Sequence, residues 1–258
     1  MRHKAFIWLS LLLTTAFIFS SCDTASSKQS DTPKKQIYEW RIYTLTGDGI
    51  LLDEYFKGAL IPAYNRCKVS VGAFALFKPE EKEQRYLLFV YPDLQTYNQV
   101  RQKVWEDADY QRSARVFFET TAPKPVYSSF ETYICEAFDK IPEMRKPDKS
   151  RTLFEYRNYY SPNEDANKRK IKMFNAEEIA LFDKVGVNSV CYGEVLSGTR
   201  MPSLTYLTWY KDEETRDKAW KEFGSHPDWN QMRRKPEYAN TATNNIVKLL
   251  APMPYSQF

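Results

Sequence analysis

Residues Leu204–Met232 read LTYLTWYKDEETRDKAWKEFGSHPDWNQM, and this stretch decides the fold. In Leu204-Thr205-Tyr206-Leu207-Thr208-Trp209-Tyr210, Tyr206 and Thr208 alternate with Leu207 and Trp209, the period of a strand with two faces. Lys211-Asp212 breaks the run, and Asp212 is placed to cap a helix whose first turn is acidic. Thr215, Ala219, Trp220 and Phe223 follow at helical spacing. Gly224-Ser225 stops that helix, and His226-Pro227 starts another, with Pro where a missing N–H costs nothing. A weaker copy lies upstream, from Tyr86 to Tyr97 and then from Val104 to Tyr110.

The copying extends further. Tyr38-Glu39-Trp40-Arg41-Ile42-Tyr43 returns 116 residues later as Phe154-Glu155-Tyr156-Arg157-Asn158-Tyr159. Phe56, Ile61, Tyr64 and Val69 match Phe174, Ile179, Phe182 and Val187 at an offset of 118, and Asp109-Tyr110 matches Asp228-Trp229 at 119. So long a period with so little drift predicts a tandem repeat of one domain, not a solenoid. Strand, helix, strand, strand, helices, strand are expected near 37–44, 50–66, 70–78, 85–91, 93–103 with 107–118, and 126–134. The second set is expected near 152–159, 163–184, 187–196, 204–210, 212–223 with 227–233, and 243–250. The expected class is α+β, with two ferredoxin-like βαββαβ halves at 37–135 and 151–258 joined by a charged, Pro-containing linker at 136–150.

Such a sheet carries helices on one face, so its other face must also be covered. In the first strand Tyr38, Trp40 and Ile42 point one way and suit the helix side; Glu39, Arg41 and Tyr43 point the other way. Two sheets packed face to face would enclose a lumen lined by Glu39, Arg41, Tyr43, Glu155, Arg157 and Tyr159. A pseudo-two-fold would set Glu39 opposite Arg157 and Glu155 opposite Arg41. These residues either orient a polar ligand or form buried ion pairs that fix the register of the sheets.

Outside the repeat, residues 1–21 read as a leader: Arg2, His3 and Lys4, then the apolar run Ala5–Phe19. The run ends Phe19-Ser20-Ser21-Cys22, which resembles a bacterial lipobox, with Phe19 where Leu is usual. Lipidation at Cys22 would hold the protein on a membrane of the bacterial envelope without spanning it. Residues 22–36 are a polar tether. The formal charge of +4 falls to +2 once Arg2 and Lys4 leave with the leader, so nothing calls for nucleic acid. Cys67, Cys135 and Cys191 remain; their spacing fits no metal pattern and leaves a disulfide open.

The paired Tyr38-Glu39-x-Arg41-x-Tyr43 and Phe154-Glu155-x-Arg157-x-Tyr159 resemble the NIPSNAP family of the dimeric α+β barrel superfamily. So do Trp209-Tyr210-x-Asp212-x-x-x-Arg216, Pro227-x-Trp229 and the end Ile246-Val247-x-Leu249-x-x-Pro252-x-Pro254-Tyr255-Ser256. Arg216 has no arginine counterpart in the first half, where Tyr97 and Asn98 stand near its place. The resemblance implies that the two halves pack as an intramolecular dimeric α+β barrel. It implies little about chemistry, although some relatives with this barrel are cofactor-independent monooxygenases or lyases.

His226 is the only histidine after the leader, so no Ser/His/Asp triad and no multi-histidine metal site can be drawn. It suits either a general base or a helix cap. No cofactor motif appears. Three functions stay open: an envelope protein binding a small polar or aromatic ligand, a cofactor-free oxygenase or isomerase using His226, and a structural module, with a homo-oligomer compatible with each. An open pocket holding His226 and a Glu–Arg set would favour the enzyme; one without His226 would favour the binding protein.

Overall fold

The computed structural model describes residues 34–258; the leader, Cys22 and most of the tether lie outside the described residues. The first half runs β1 (Ile37–Leu45), α1 (Ile50–Tyr55), a π-helical turn Phe56–Leu60, α2 (Ile61–Arg66), β2 (Ser70–Leu76) and β3 (Gln84–Tyr91). It closes with α3 (Leu94–Glu106), α4 (Ala108–Ser113), α5 (Arg115–Phe118) and β4 (Tyr127–Ala137). The second half repeats the order: β5 (Leu153–Tyr160), α6 (Glu164–Met173), a π-helical turn Phe174–Glu178, α7 (Ile179–Val185), β6 (Asn188–Ser197) and β7 (Ser203–Tyr210). It ends with α8 (Glu213–Ser225), α9 (Pro227–Met232) and β8 (Asn244–Pro252).

All neighbouring strands are antiparallel, in a closed barrel ordered β1-β3-β2-β8-β5-β7-β6-β4. Each half supplies four consecutive staves. The halves are sewn together by β2 on β8 and β4 on β6. Those joins explain why β4 and β8 outrun the local pattern. Ile134–Ala137 pair with Gly193–Ser197, and Leu250–Pro252 pair with Phe74–Leu76, so the extra residues are held by the opposite half. β4 therefore reaches two residues into the expected linker, where Phe138 and Ile141 are also buried.

The lumen is not the polar chamber the alternation predicts. Tyr38, Trp40, Ile42, Phe74, Tyr86, Leu88, Phe154 and Tyr156 form one packed cluster inside the barrel. Trp40 lies 4.8 Å from Tyr156 and Phe74 4.9 Å from Phe154, ring centre to ring centre, so aromatic pairs cross between the halves. Eight staves leave an interior just wide enough for side chains to fill, and the aromatic face fills it. Trp40 is wholly buried, and its truncation to Ala would cost about 3–5 kcal/mol. Phe258 closes against this cluster over Gly72, where an added Cβ would sit 2.3 Å from the Phe258 ring.

The Glu, Arg and Tyr residues consequently face outward, under the helices. Tyr43 packs among Phe56, Tyr127 and Phe130, and Arg41 donates to Tyr64 of α2. The expected faces are thus exchanged: period two fixes which residues share a face, but not which face turns inward. Cys67, Cys135 and Cys191 are free thiols. Among the described residues no helix is long and apolar enough to cross a membrane, and no three His, Cys, Asp or Glu cluster as metal ligands.

Candidate functional site

Each Glu–Arg pair forms within its own strand, two residues apart, and not across the barrel. Arg41 Nε donates to Glu39 Oε1 at 2.6 Å, and Arg157 Nε donates to Glu155 Oε1 at 2.5 Å. What covers the pairs differs. The covering helices start alike: Asp93 accepts from the Thr96 amide at 2.7 Å, and Asp212 accepts from the Thr215 amide at 2.8 Å. Counted from these caps, the fourth and eighth residues look onto the pair. They are Tyr97 and Arg101 in α3, and Arg216 and Trp220 in α8.

In the second half these side chains close the site. Arg216 donates twice to Glu155, at 2.8 and 3.2 Å, and Trp220 Nε1 donates to Glu155 Oε2 at 2.8 Å. The Trp220 ring lies 3.7 Å from the Arg157 guanidinium, a cation–π contact. Arg157 also donates to Tyr159, whose hydroxyl meets that of Tyr206. Glu155 is left 0% exposed, fully bonded, with no room for a ligand. Burial opposes the Arg157 charge, but Tyr206, Tyr159 and Glu155 raise its pKa overall.

In the first half the same positions leave a cleft of about 750 Å³. Glu39 and Arg41 form its floor with Tyr64; Tyr97, Arg101 and Trp105 of α3 line one wall, and Phe130, Thr132 and Ile134 of β4 the other. Besides Arg41, Glu39 accepts only from Tyr91 among the described residues, at 2.5 Å. Burial, then the Glu39 charge, pushes the Tyr91 phenol well up, so it stays protonated and donates. The Arg41 guanidinium sits 4.3 Å from the Phe89 ring centre. Burial opposes its charge, yet Glu39 with Tyr64 and Tyr43 raises its pKa well above the usual value. Arg101 forms no ion pair among the described residues and is exposed at the cleft. Trp105 and Phe130 are exposed at the rim.

The structure thus brings Glu39 and Arg41 to one cleft. It places Glu155, Arg157 and Tyr159 in a closed network, and Tyr43 in the core beside the cleft. His226 is elsewhere: its Nδ1 accepts from the Asp228 amide at 3.1 Å and caps α9, as Asp107 caps α4 in the first half. It bonds to neither Glu–Arg pair and does not line the cleft, so it is not the base of this site. Tyr97 and Arg101 were not singled out as ligand residues by sequence reasoning. Their signal was the missing arginine opposite Arg216, read from the cap at Asp93.

The fold is shared with a candidate monooxygenase from Lactobacillus acidophilus NCFM, at TM-score 0.56 and 10% identity over 84% of this chain and 94% of that one. A second candidate monooxygenase, from Fusobacterium nucleatum, matches at TM-score 0.54 and 9% identity over 85% and 93%. A NIPSNAP-like domain protein from Burkholderia xenovorans matches 42% of this chain and 90% of its own at 23% identity and TM-score 0.37. No curated protein sequence matches the chain. Residues 154–257, the half with the closed network, match the NIPSNAP family model, so the second half carries a NIPSNAP domain.

Proposed function

We propose that this protein is an envelope lipoprotein of the NIPSNAP family whose first half binds a small planar, anionic molecule, while its second half completes the barrel. One observation carries the reading: the same Glu–Arg strand is sealed by Arg216 and Trp220 in one half and left open beneath Tyr97 and Arg101 in the other. The cleft volume of about 750 Å³ suits a small-molecule ligand. Tyr55, Tyr64, Tyr97 and Trp105 offer flat apolar surface. Arg101 supplies a cation for a carboxylate or enolate. Arg41 is already engaged by Glu39 and Tyr64 and acts as a fixed dipole at the floor.

Binding is favoured over catalysis because the cleft holds no histidine and Glu39 is tied to both Arg41 and Tyr91. Mass spectrometry of small molecules released from the purified protein tests the reading. An acidic aromatic compound should accompany the wild type and be lost from Arg101→Ala. Its presence in equal amount on the variant would reject the cleft as its site, and its chemical conversion on the protein would turn the reading toward an enzyme. The anchor is tested separately: Cys22→Ala should leave the membrane fraction, and a variant that still pellets after a high-salt wash would overturn it.

A further inference from the structure

A second cavity, of about 400 Å³, opens at one end of the barrel lumen, on the other face of the sheet from the cleft. Both halves build it. Ile42 and Asn158 hold the same place in their strands, the fifth residue of the repeated motif, and both line it. Ile42 stands between Tyr86 and Glu131, Asn158 between Thr205 and Ile246. An apolar side chain therefore fits this layer, and the second half nevertheless carries an amide there. Asn158 is 1% exposed. Its Nδ2 donates to the Tyr156 hydroxyl at 3.5 Å, but among the described residues its Oδ1 has no partner. A buried acceptor without a donor is costly, and its residue lines a cavity large enough to admit a donor.

The surroundings specify that donor. Glu131, exposed at the mouth, accepts from Tyr133 and Thr199 through one oxygen, so its other oxygen faces solvent without a protein donor among the described residues. The cations are outnumbered: Lys248 is paired with Glu80, and Lys82 shares the lining with Glu81 and Glu131. The Tyr86 and Tyr156 rings lie 5.6 Å apart, tilted by 54°, and form aromatic walls. Burial, then Glu80 and Glu131, raises the Tyr86 phenol pKa, and the lining sets the carboxylates of Glu80, Glu81 and Glu131 against the ammonium groups of Lys82 and Lys248, a net negative field. Unengaged acceptors, ring faces and a negative field together select a cation that carries N–H groups.

We propose that this barrel mouth binds a small organic ammonium ion, its N–H groups donating to Asn158 Oδ1 and Glu131. The site is independent of the cleft and of the anionic ligand assigned there. Titration calorimetry of the full chain with n-butylammonium chloride tests it, with n-butanol and sodium n-butyrate as neutral and anionic controls of equal chain length. The ammonium ion should bind saturably and the controls should not. Asn158→Ile, which copies Ile42, should weaken binding about tenfold or more, the scale of one lost hydrogen bond, and should melt no lower than the wild type. Glu131→Gln should also weaken it, whereas Arg101→Ala should not. Butanol binding as well as butylammonium, or both mouth variants titrating like the wild type, would overturn the proposal. Should Asn158→Ile fail to fold, unchanged affinity in Glu131→Gln suffices to reject it.

Discussion

The two halves of this barrel carry the same Glu-x-Arg strand, the same capped helix above it and the same π-helical turn beside it, yet only one is open. In the second half a buried carboxylate gathers two arginines and an indole. In the first it keeps one arginine and one tyrosine, and faces a cleft. The difference resides in two residues on one helix face, a turn apart. A buried ion pair is expensive to break and contributes little net stability against a well-packed apolar replacement. The second half uses its pair as structure; the first sets its pair at the floor of a cleft.

The largest expected effect comes from breaking the sealed network. Arg157→Met strips the wholly buried Glu155 of one of its two arginines and should cost about 3–5 kcal/mol, a fall in Tm of roughly 6–20 °C. Arg41→Met should cost less than half of that, because the space left by the guanidinium opens to the cleft and admits water to Glu39, which is 3% exposed with Arg41 in place. Replacing Glu155 and Arg157 together by Leu and Met should recover much of the loss. Thermal melts of the variants rank the two halves, and equal losses at Arg157 and Arg41 would erase the distinction.

A smaller contrast lies at the turn into the second strand of each half. Gly186 ends α7 at φ 82°, and Lys68 takes the matching left-handed place after α2 at φ 62°. Gly186→Ala should cost about 1–2 kcal/mol, whereas Lys68→Gly should be neutral or stabilise by about 0.5–1 kcal/mol. Chemical denaturation measures both. Destabilisation by Lys68→Gly would show that the Lys68 side chain contributes more than its backbone strain costs.

The smallest effect is one of pH. Lys34, then the Thr96 amide, holds the Asp93 carboxyl at about 2, and hydrogen bonds from Thr215 lower that of Asp212. A carboxylate whose folded pKa is depressed stabilises fully above its unfolded value, near 4, and loses that contribution as pH falls through the folded value. Asp93→Asn keeps the cap without the charge. The stability gap between it and the wild type should be constant above about pH 5 and shrink as pH approaches 2. A gap that widens on acidification would contradict the sign.

How far the sequence could be read follows from these contrasts. The order of elements was legible because caps, strand alternation and the repeated motif agree in both halves. The inward face was not: both faces of β1 are bulky, and a narrow lumen selects the aromatic one only once the barrel is closed. The pairing of Glu39 with its own Arg41 was also hidden, since a two-residue spacing permits contact within a strand as readily as across a symmetry axis. His226 suited either a general base or a helix cap in the sequence, where it stands alone in composition after the leader. Its position matches Asp107, a capping residue, and the structure uses it as a cap.

The central claim is that Tyr97 and Arg101 open the first half where Arg216 and Trp220 close the second. The double variant Tyr97→Arg, Arg101→Trp writes the closing pair onto α3, above Glu39. Native mass spectrometry of this variant beside the wild type measures ligand occupancy directly. The account predicts a wild type carrying one small molecule per chain, and a variant that is folded, at least as stable, and empty. A folded variant that retains its ligand at full occupancy would contradict it.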